Sequence, residues 1–488
     1  MGETIAAVST APGEGGIGIV RISGENAARI LEKMFAPLRG KAAANQGGFP
    51  DKKMMYGHIK EPSSAQTVDE VLAVFMKAPH SYTGEDVAEI QCHGGPVPLR
   101  RILEISYELG AVPAAPGEFT KRAFLNGRID LVQAGAVIDL IRAKTERSYR
   151  AAKDQAEGKL SARIRAVRGG LLGVLAEITA RIDYPEAFEE EGGGTPDPYL
   201  PMLKKAGDEA GALLADADAG RLVRDGVRAA IIGKPNTGKS SLFNAMARES
   251  AAIVTDIPGT TRDAIEIFLN ISGVPVILTD TAGIREAAGE VETLGIRKSR
   301  SIYERADIAL FVLDGSLPLS AEDREIAASL NPEKKTILVV NKRDLPPAFD
   351  LEEAAALLSF PAGIAETSLF SRSLPSLEEG NGGAATGFEA GFETDGAAEL
   401  EKEIAGRVFT GAVSAGGSLL VTKARHKAAL LQAKEEIEEA VRILSRGDAP
   451  EFAEVNVRAA YDTLGEMIGE TVTEDILDRV FEEFCIGK

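Results

Sequence analysis

Gly233-Lys234-Pro235-Asn236-Thr237-Gly238-Lys239-Ser240 fits the pattern G-x-x-x-x-G-K-S. The apolar run Val227 to Ile232 before it reads as a strand, and Ser241 to Arg248 after it reads as a helix. Strand, loop and helix in that order are the setting in which such a loop cradles phosphate. Loop N–H groups and the positive end of the helix attract an anion, Lys239 reaches the β- and γ-phosphates, and the Ser240 hydroxyl suits Mg2+. Outward from this loop, short β-branched runs alternate with helical stretches from about Val227 onward. That texture predicts a mostly parallel sheet with crossover helices.

Two further stretches fall at predicted strand ends in the same region. Asp280-Thr281-Ala282-Gly283 follows the apolar run Val274 to Leu278, so Asp280 can hold Mg2+ while the Gly283 N–H meets the γ-phosphate. Asn341-Lys342-Arg343-Asp344 follows Thr336 to Val340 and matches N-K-x-D. The Asp344 carboxylate can accept from the guanine N1–H and amino group, an arrangement adenine lacks, so the site selects GTP over ATP. Thr367-Ser368-Leu369 resembles the last base-contacting loop of GTPases. Where Ras-like enzymes carry a water-orienting Gln beside the D-x-x-G glycine, this chain has Ile284, which cannot hydrogen-bond. Another water-positioning group and another source of positive charge are needed.

The rest of the chain sets this domain inside something larger. At 488 residues about three domains are expected. Residues 1–126 mix β-like runs, such as Ile17 to Ile22 and Val71 to Met76, with turn clusters, the texture of an α+β domain. From about Ile129 to Asp183 the pattern is helical. Helices resume after about residue 411, where Leu430, Ala433, Ile437, Val441 and Leu444 share one face. The expected division is therefore 1–126, a helical domain in two parts (127–225 and 412–488), and an inserted α/β domain over 226–411. Glu378 to Ala397 is Gly-rich with little apolar content and reads as a surface insertion.

Composition narrows the classes. Two cysteines, Cys92 and Cys485, far apart in sequence, argue against a disulfide framework and fit a reducing compartment. Cys92 and His93 lack a visible third member of a catalytic set and read as structural. No apolar run approaches the ~18 residues of a membrane span, and the N-terminus lacks the features of an export signal. A cytoplasmic location is expected. The net charge of -19 repels phosphate backbones. Contact with RNA then requires a local basic patch or a basic partner.

Stretches outside the phosphate-loop domain carry a family resemblance. They are Thr4 to Gly24, Tyr82-Thr83-Gly84-Glu85-Asp86 through His93-Gly94-Gly95, Pro116-Gly117-Glu118-Phe119-Thr120 through Asp130, and the terminal Phe484-Cys485-Ile486-Gly487-Lys488. Together with the nucleotide motifs they resemble the tRNA-modifying GTPase family MnmE (TrmE) over essentially the whole chain, although the insertion at 378–397 exceeds the family pattern. The resemblance implies a tetrahydrofolate-binding, dimerising α+β N-terminal domain, an all-α helical domain and an inserted Ras-like P-loop α/β G domain. It also implies a GTP contact set of Asn236, Thr237, Gly238, Lys239, Ser240, Ser241, Thr255, Asp256, Ile257, Pro258, Gly259, Thr260, Thr261, Asp280, Thr281, Ala282, Gly283, Asn341, Lys342 and Asp344.

By the same resemblance Ser240 and Thr261 bind Mg2+, and Asn236, Thr255, Ile257 and Thr260 surround a K+ ion that supplies the charge of an arginine finger. Glu292 is then the catalytic carboxylate, acting through water when two G domains face each other. Arg21, Glu85, Arg128 and Lys488 line the pocket for a 5-formyl-tetrahydrofolate-type ligand, with Cys485 close to the one-carbon site. The implied assembly is a homodimer that joins the FAD-containing MnmG in a heterotetramer and acts on C5 of the wobble uridine of certain tRNAs. The alternative is a regulatory GTPase of ribosome assembly, but the chain shows neither a KH-like module nor a second G domain.

Overall fold

The computed structural model describes residues 2–38, 49–184, 199–253, 266–280, 301–368, 396–409, 420–471, 474–482 and 484–487. They divide into two compact units, residues 1–141, 153–210 and 429–488 in one, and residues 142–152 and 211–428 in the other. The second unit is thus inserted in the chain of the first. Among the described residues, no helix is long and apolar enough to cross a membrane.

The first unit opens with a sheet of strands β1 (Ile5–Val8), β2 (Gly15–Ser23), β3 (Phe35–Pro37), β4 (Met55–Lys60), β5 (Thr67–Met76), β6 (Val87–Gly94) and β7 (Val112–Pro113). Their order is β3-β4-β5-β6-β2-β1-β7, and only the β1–β7 pair is parallel. Alternation along the strands sends Val20, Ile22, Val71, Ala73, Ala88 and Ile90 to one face. There they pack on Ile30 and Leu31 of α1 (Ala27–Met34) and Ile102 and Ile105 of α2 (Pro96–Glu108). The other face keeps Ile17, Tyr56 and Leu72 exposed.

Helix α3 (Glu118–Leu125) follows the sheet. The helical part comprises α4 (Leu131–Arg142), the end of α5 (Glu146–Ala156), α6 (Lys159–Asp183), most of α7 (Tyr199–Ala215) and of the helix Ala424–Ser445, and the helices Pro450–Ile468 and Glu474–Phe481, while α8 (Ala217–Asp225) belongs to the second unit. In Ala424–Ser445 the buried stripe is Leu430, Ala433, Ile437, Ala440 and Leu444. Val441 is only half-buried, because alternating steps of three and four residues reach Ala440 before it. Arg168 of α6, nearly buried, donates to the Tyr461 carbonyl at 3.0 Å and pairs with Glu470, fixing the turn beyond Pro450–Ile468.

The second unit holds the predicted mostly parallel sheet: β8 (Val227–Ile232), β9 (Ala251–Ile253), β10 (Glu266–Ile271), β11 (Val274–Asp280), β12 (Ile308–Asp314), β13 (Lys335–Asn341) and β14 (Gly363–Glu366). The order is β14-β13-β12-β8-β11-β10-β9, with β10 antiparallel to both neighbours. Strands β12 and β13 read as near-continuous apolar runs because both faces are covered. On one side lie Leu242 and Met246 of α9 (Lys239–Ser250) and Leu400 and Ile404 of Ala397–Val408. On the other lie Ala327, Leu330, Phe349 and Leu358.

Candidate functional site

Strands β8, β12 and β13 run parallel and finish at one edge, with Phe311 opposite Ile232 and Asp314 opposite Asn341. Ligand sites of open α/β sheets form at such carboxyl ends. Beyond β8 the chain turns at Gly233, φ +145°, where an added Cβ would lie 2.4 Å from the Val312 carbonyl oxygen. Glycine is required there by both the backbone angle and the close approach to β12. At Gly238 a Cβ would lie 2.1 Å from Asn341 Nδ2. Between them Asn236 takes φ +64°, a left-handed conformation that Asn tolerates.

Lys239 is the first residue of α9, and its buried ammonium donates to the carbonyls of Gly233 at 2.8 Å and Lys234 at 2.6 Å. The loop thus wraps its own cation, which together with the α9 N-terminus gives an anion site. Ser240 and Ser241 follow on the exposed first turn.

The end of β13 is tied into this loop. Buried Asn341 donates through Nδ2 to the Thr237 carbonyl at 2.9 Å and accepts from the Thr367 hydroxyl at 3.1 Å. Lys342, at φ +63°, donates to Asp314 at 2.6 Å and to the Asn236 carbonyl at 3.1 Å. Burial pushes the Asp314 carboxyl up, but hydrogen bonds from Lys342 and Ser316 outweigh it and hold the group below its ordinary value. Asp344 is exposed and accepts from the Ser368 hydroxyl at 3.0 Å. The structure therefore brings Asn236, Thr237, Gly238, Lys239, Asn341, Lys342 and Asp344 to one sheet edge, with Thr367 and Ser368 beside them.

Sequence reasoning passed over Asp314, although the apolar run Ile308 to Leu313 ending in Asp-Gly signals a strand end of the same kind. It also passed over Lys234, which pairs with buried Asp323 at 2.6 Å and Ser320 at 3.1 Å. Asp323 closes the capping box of helix Ala321–Ala328, so the pair anchors the loop to that helix. Asp280 ends β11 beside Ile231 of β8. Its side chain lies outside the described residues, as do Thr255, Asp256, Ile257, Pro258, Gly259, Thr260, Thr261, Thr281, Ala282, Gly283, Ile284 and Glu292.

A second cradle lies in the first unit. Arg21 on β2 faces Glu89 on β6 and pairs with it at 2.8 Å. Its guanidinium lies over the rings of Tyr82 at 5.6 Å and Phe119 at 5.5 Å. Arg128 lies 5.1 Å from the centre of the Tyr82 ring and donates to the Tyr82 carbonyl at 2.5 Å. With Met76, Pro79, His80 and Ser81 it borders a recess of about 610 Å3. Glu85 accepts from the Ser23 hydroxyl at 2.8 Å and from Arg122 at 3.1 Å.

The chain's own end docks beside Arg21. The Gly487 carbonyl accepts from the Ser9 hydroxyl at 3.0 Å and from Arg21 at 3.4 Å, and the Cys485 carbonyl accepts from the Gly117 N–H at 3.4 Å. Cys485 itself is exposed, and Lys488 lies outside the described residues. Cys92 is buried, with its thiol 3.4 Å from the Gly18 carbonyl, and burial, then Asp69, push it up to about 11. His93 bonds Asp69 at 2.7 Å. These two are far from a thiolate–imidazole pair, in keeping with a structural role.

Comparison with known proteins decides the family. Residues 4–128 match the family described as GTP-binding protein TrmE N-terminus, and residues 131–485 match the MnmE helical domain. The chain belongs to the MnmE family. It is 43% identical over 488 residues to the tRNA modification GTPase MnmE of Alkaliphilus metalliredigens, covering 100% of both chains. To the tRNA modification GTPase MnmE of Geobacillus thermodenitrificans it is 43% identical over 486 residues, covering 100% of this chain and 99% of that one. Among solved structures, the G domain of the T. maritima FeoB iron transporter matches at 25% identity, over 29% of this chain and 87% of that chain, with a TM-score of 0.23. In this MnmE family member the nucleotide edge and the N-terminal cradle are each built by a separate compact unit.

Proposed function

We propose that the chain is a GTPase of tRNA modification that, with the flavoprotein MnmG, adds an aminomethyl or carboxymethylaminomethyl group at C5 of the wobble uridine of certain tRNAs. One observation carries this reading. In a single chain of the MnmE family, a phosphate-loop sequence is tied through Asn341 to the end of β13, and Arg21, set over Tyr82 and Phe119, donates to the Gly487 carbonyl.

The nucleotide edge fits GTP. The wrapped Lys239 and the α9 N-terminus suit the phosphates, and the exposed Asp344 carboxylate suits the two donors of guanine. On this reading Ser240 and Thr261 hold Mg2+, which neutralises phosphate charge when bound. Asn236, Thr255, Ile257 and Thr260 hold K+, and Glu292 orients the attacking water.

The N-terminal cradle fits a folate of the 5-formyl-tetrahydrofolate type, which brings the one-carbon unit when bound. A pterin offers a donor edge to Glu85, its ring can stack beside Tyr82, and the glutamyl tail suits Arg21, Arg128 and Lys488. FAD and NADH come with the partner. The exposed Ile17, Tyr56 and Leu72 on the sheet's open face support a homodimer through this domain. Residues 1–126 are then the dimerising folate domain, 226–411 the G domain, and 127–225 with 412–488 the helical domain. The setting is cytoplasmic, and with a net charge of -19 much of the electrostatic hold on tRNA falls to the partner.

The test is GTP turnover in K+ and Na+ buffers at matched ionic strength, with Glu292→Ala alongside. Strong K+ dependence that collapses in the variant is expected. Equal rates in both salts reject the cation-assisted site.

A further inference from the structure

Resting on the reading of the phosphate loop as a GTP site, we infer that Lys234 is a positioning residue: its ion pair with buried Asp323 fixes the peptide that aims the Lys239 ammonium at the β- and γ-phosphates. The two ends of Lys234 point to different partners. Its side chain, 14% exposed, leaves the loop and donates to Asp323 Oδ2 at 2.6 Å and to the Ser320 hydroxyl at 3.1 Å. Its carbonyl stays within the loop and accepts from the Lys239 ammonium at 2.6 Å and from the hydroxyl of buried Thr237 at 3.1 Å. The backbone between has little freedom. Gly233 before it is pressed against the Val312 carbonyl at φ +145°, and Pro235 after it steers Lys234 away from helical conformations.

Asp323 gives the side chain a fixed point. It is 1% exposed, and its Oδ2 also accepts from the Ser320 N–H at 2.9 Å and the Ser320 hydroxyl at 2.7 Å. Its Oδ1 is buried without a hydrogen-bond partner among the described residues. Burial raises this carboxyl, yet hydrogen bonds from Lys234 and Ser320 leave it below its ordinary value, so an ionised acid faces the Lys234 ammonium. A buried ion pair adds little net stability over apolar residues of similar size; what this one supplies is direction. Lys239 hangs from the Gly233 and Lys234 carbonyls. The first is set by the close approach to β12, and the second by the helix Ala321–Ala328. Lys234 acts on phosphate through Lys239, without itself touching the nucleotide.

The experiment measures the Kd of GMP, GDP and a non-hydrolysable GTP analogue on the full-length protein, by competition with a fluorescent guanine nucleotide, with the thermal midpoint recorded for every variant. Lys234→Met/Asp323→Asn removes the anchor, leaves no buried charge unpaired and keeps an acceptor for the helix cap. It should weaken GDP and the GTP analogue on the order of tenfold, the scale of a hydrogen bond to a charged group. GMP offers Lys239 neither a β- nor a γ-phosphate, and its Kd should change less than about twofold. Lys234→Arg, which keeps a cationic donor for Asp323, should stay near wild type with all three. Equal losses for GMP and GDP would mean that Lys234 only holds the loop's fold, and would overturn the inference. So would wild-type GDP affinity in the double variant. A wild-type protein that binds GDP no better than GMP would instead reject Lys239 as the phosphate contact, and with it the reading of the site.

Discussion

The side-chain amide of Asn341 donates to the Thr237 carbonyl at 2.9 Å, joining the end of β13 to the loop between β8 and α9. Its oxygen accepts from Thr367 at 3.1 Å, so one buried residue fixes three segments. Replacing Asn341 with Ala strands the Thr237 carbonyl and the Thr367 hydroxyl. The expected cost is about 1–3 kcal/mol of stability, with weaker binding of GTP. Urea unfolding and titration with a fluorescent GTP analogue measure both. An unchanged midpoint and affinity would show that the tie does not organise the site.

Asp344 faces solvent beside Ser368, the arrangement of an acceptor awaiting donors. Asp344→Asn removes the acceptor for the guanine amino group and offers an amide donor in its place. GTP affinity should fall on the order of a hundredfold, while xanthosine triphosphate, with a carbonyl at that position, should gain. Competition between the two nucleotides measures the switch. Equal losses for both would remove Asp344 from base recognition.

Gly487 adopts φ +92°, and a Cβ there would lie 2.1 Å from the Val8 carbonyl oxygen. Gly487→Ala should therefore lift the C-terminal tail from Ser9 and Arg21. The expected result is faster proteolysis of the C-terminus and several-fold weaker binding of 5-formyl-tetrahydrofolate. Protection equal to wild type would mean that the tail is not held by this contact.

The hydrogen bond to Asp69, then its charge, raise the pKa of exposed His93 above the ordinary value of about 6.5. The folded protein thus binds this proton more tightly than the unfolded chain. The associated stability is fully present below the unfolded value and is lost as pH rises through the folded one. Proton NMR should place the His93 midpoint above 6.5, and Asp69→Asn should bring it down. A midpoint that ignores the substitution would break the assigned pair.

Much of the nucleotide edge was legible because its residues are local in sequence and obey a pattern. Gly233 and Gly238 are demanded by backbone geometry, and Asn341 sits at a fixed offset from a buried strand. Asp314 was not singled out, since its importance comes from Lys342 across the neighbouring strand. Arg122 was invisible for the same reason. Its partner Glu85 is 37 residues away, and periodicity along α3 marks only that the residue is not apolar. In the helix Ala424–Ser445 the buried position is Ala440 where Val441 was expected, because the small residue gives no strong signal of its own. Resemblance over the whole chain named Arg21 and Arg128 together, which no local pattern could give, but that both guanidinium groups lie over the Tyr82 ring emerges only in the fold.

The most direct measurement is nucleoside mass spectrometry of bulk tRNA from a deletion strain, complemented with the wild-type chain or with Lys239→Ala. The account predicts loss of C5-modified wobble uridine in the deletion, recovery with the wild type and no recovery with the variant. Intact wobble modification in the deletion strain would contradict it.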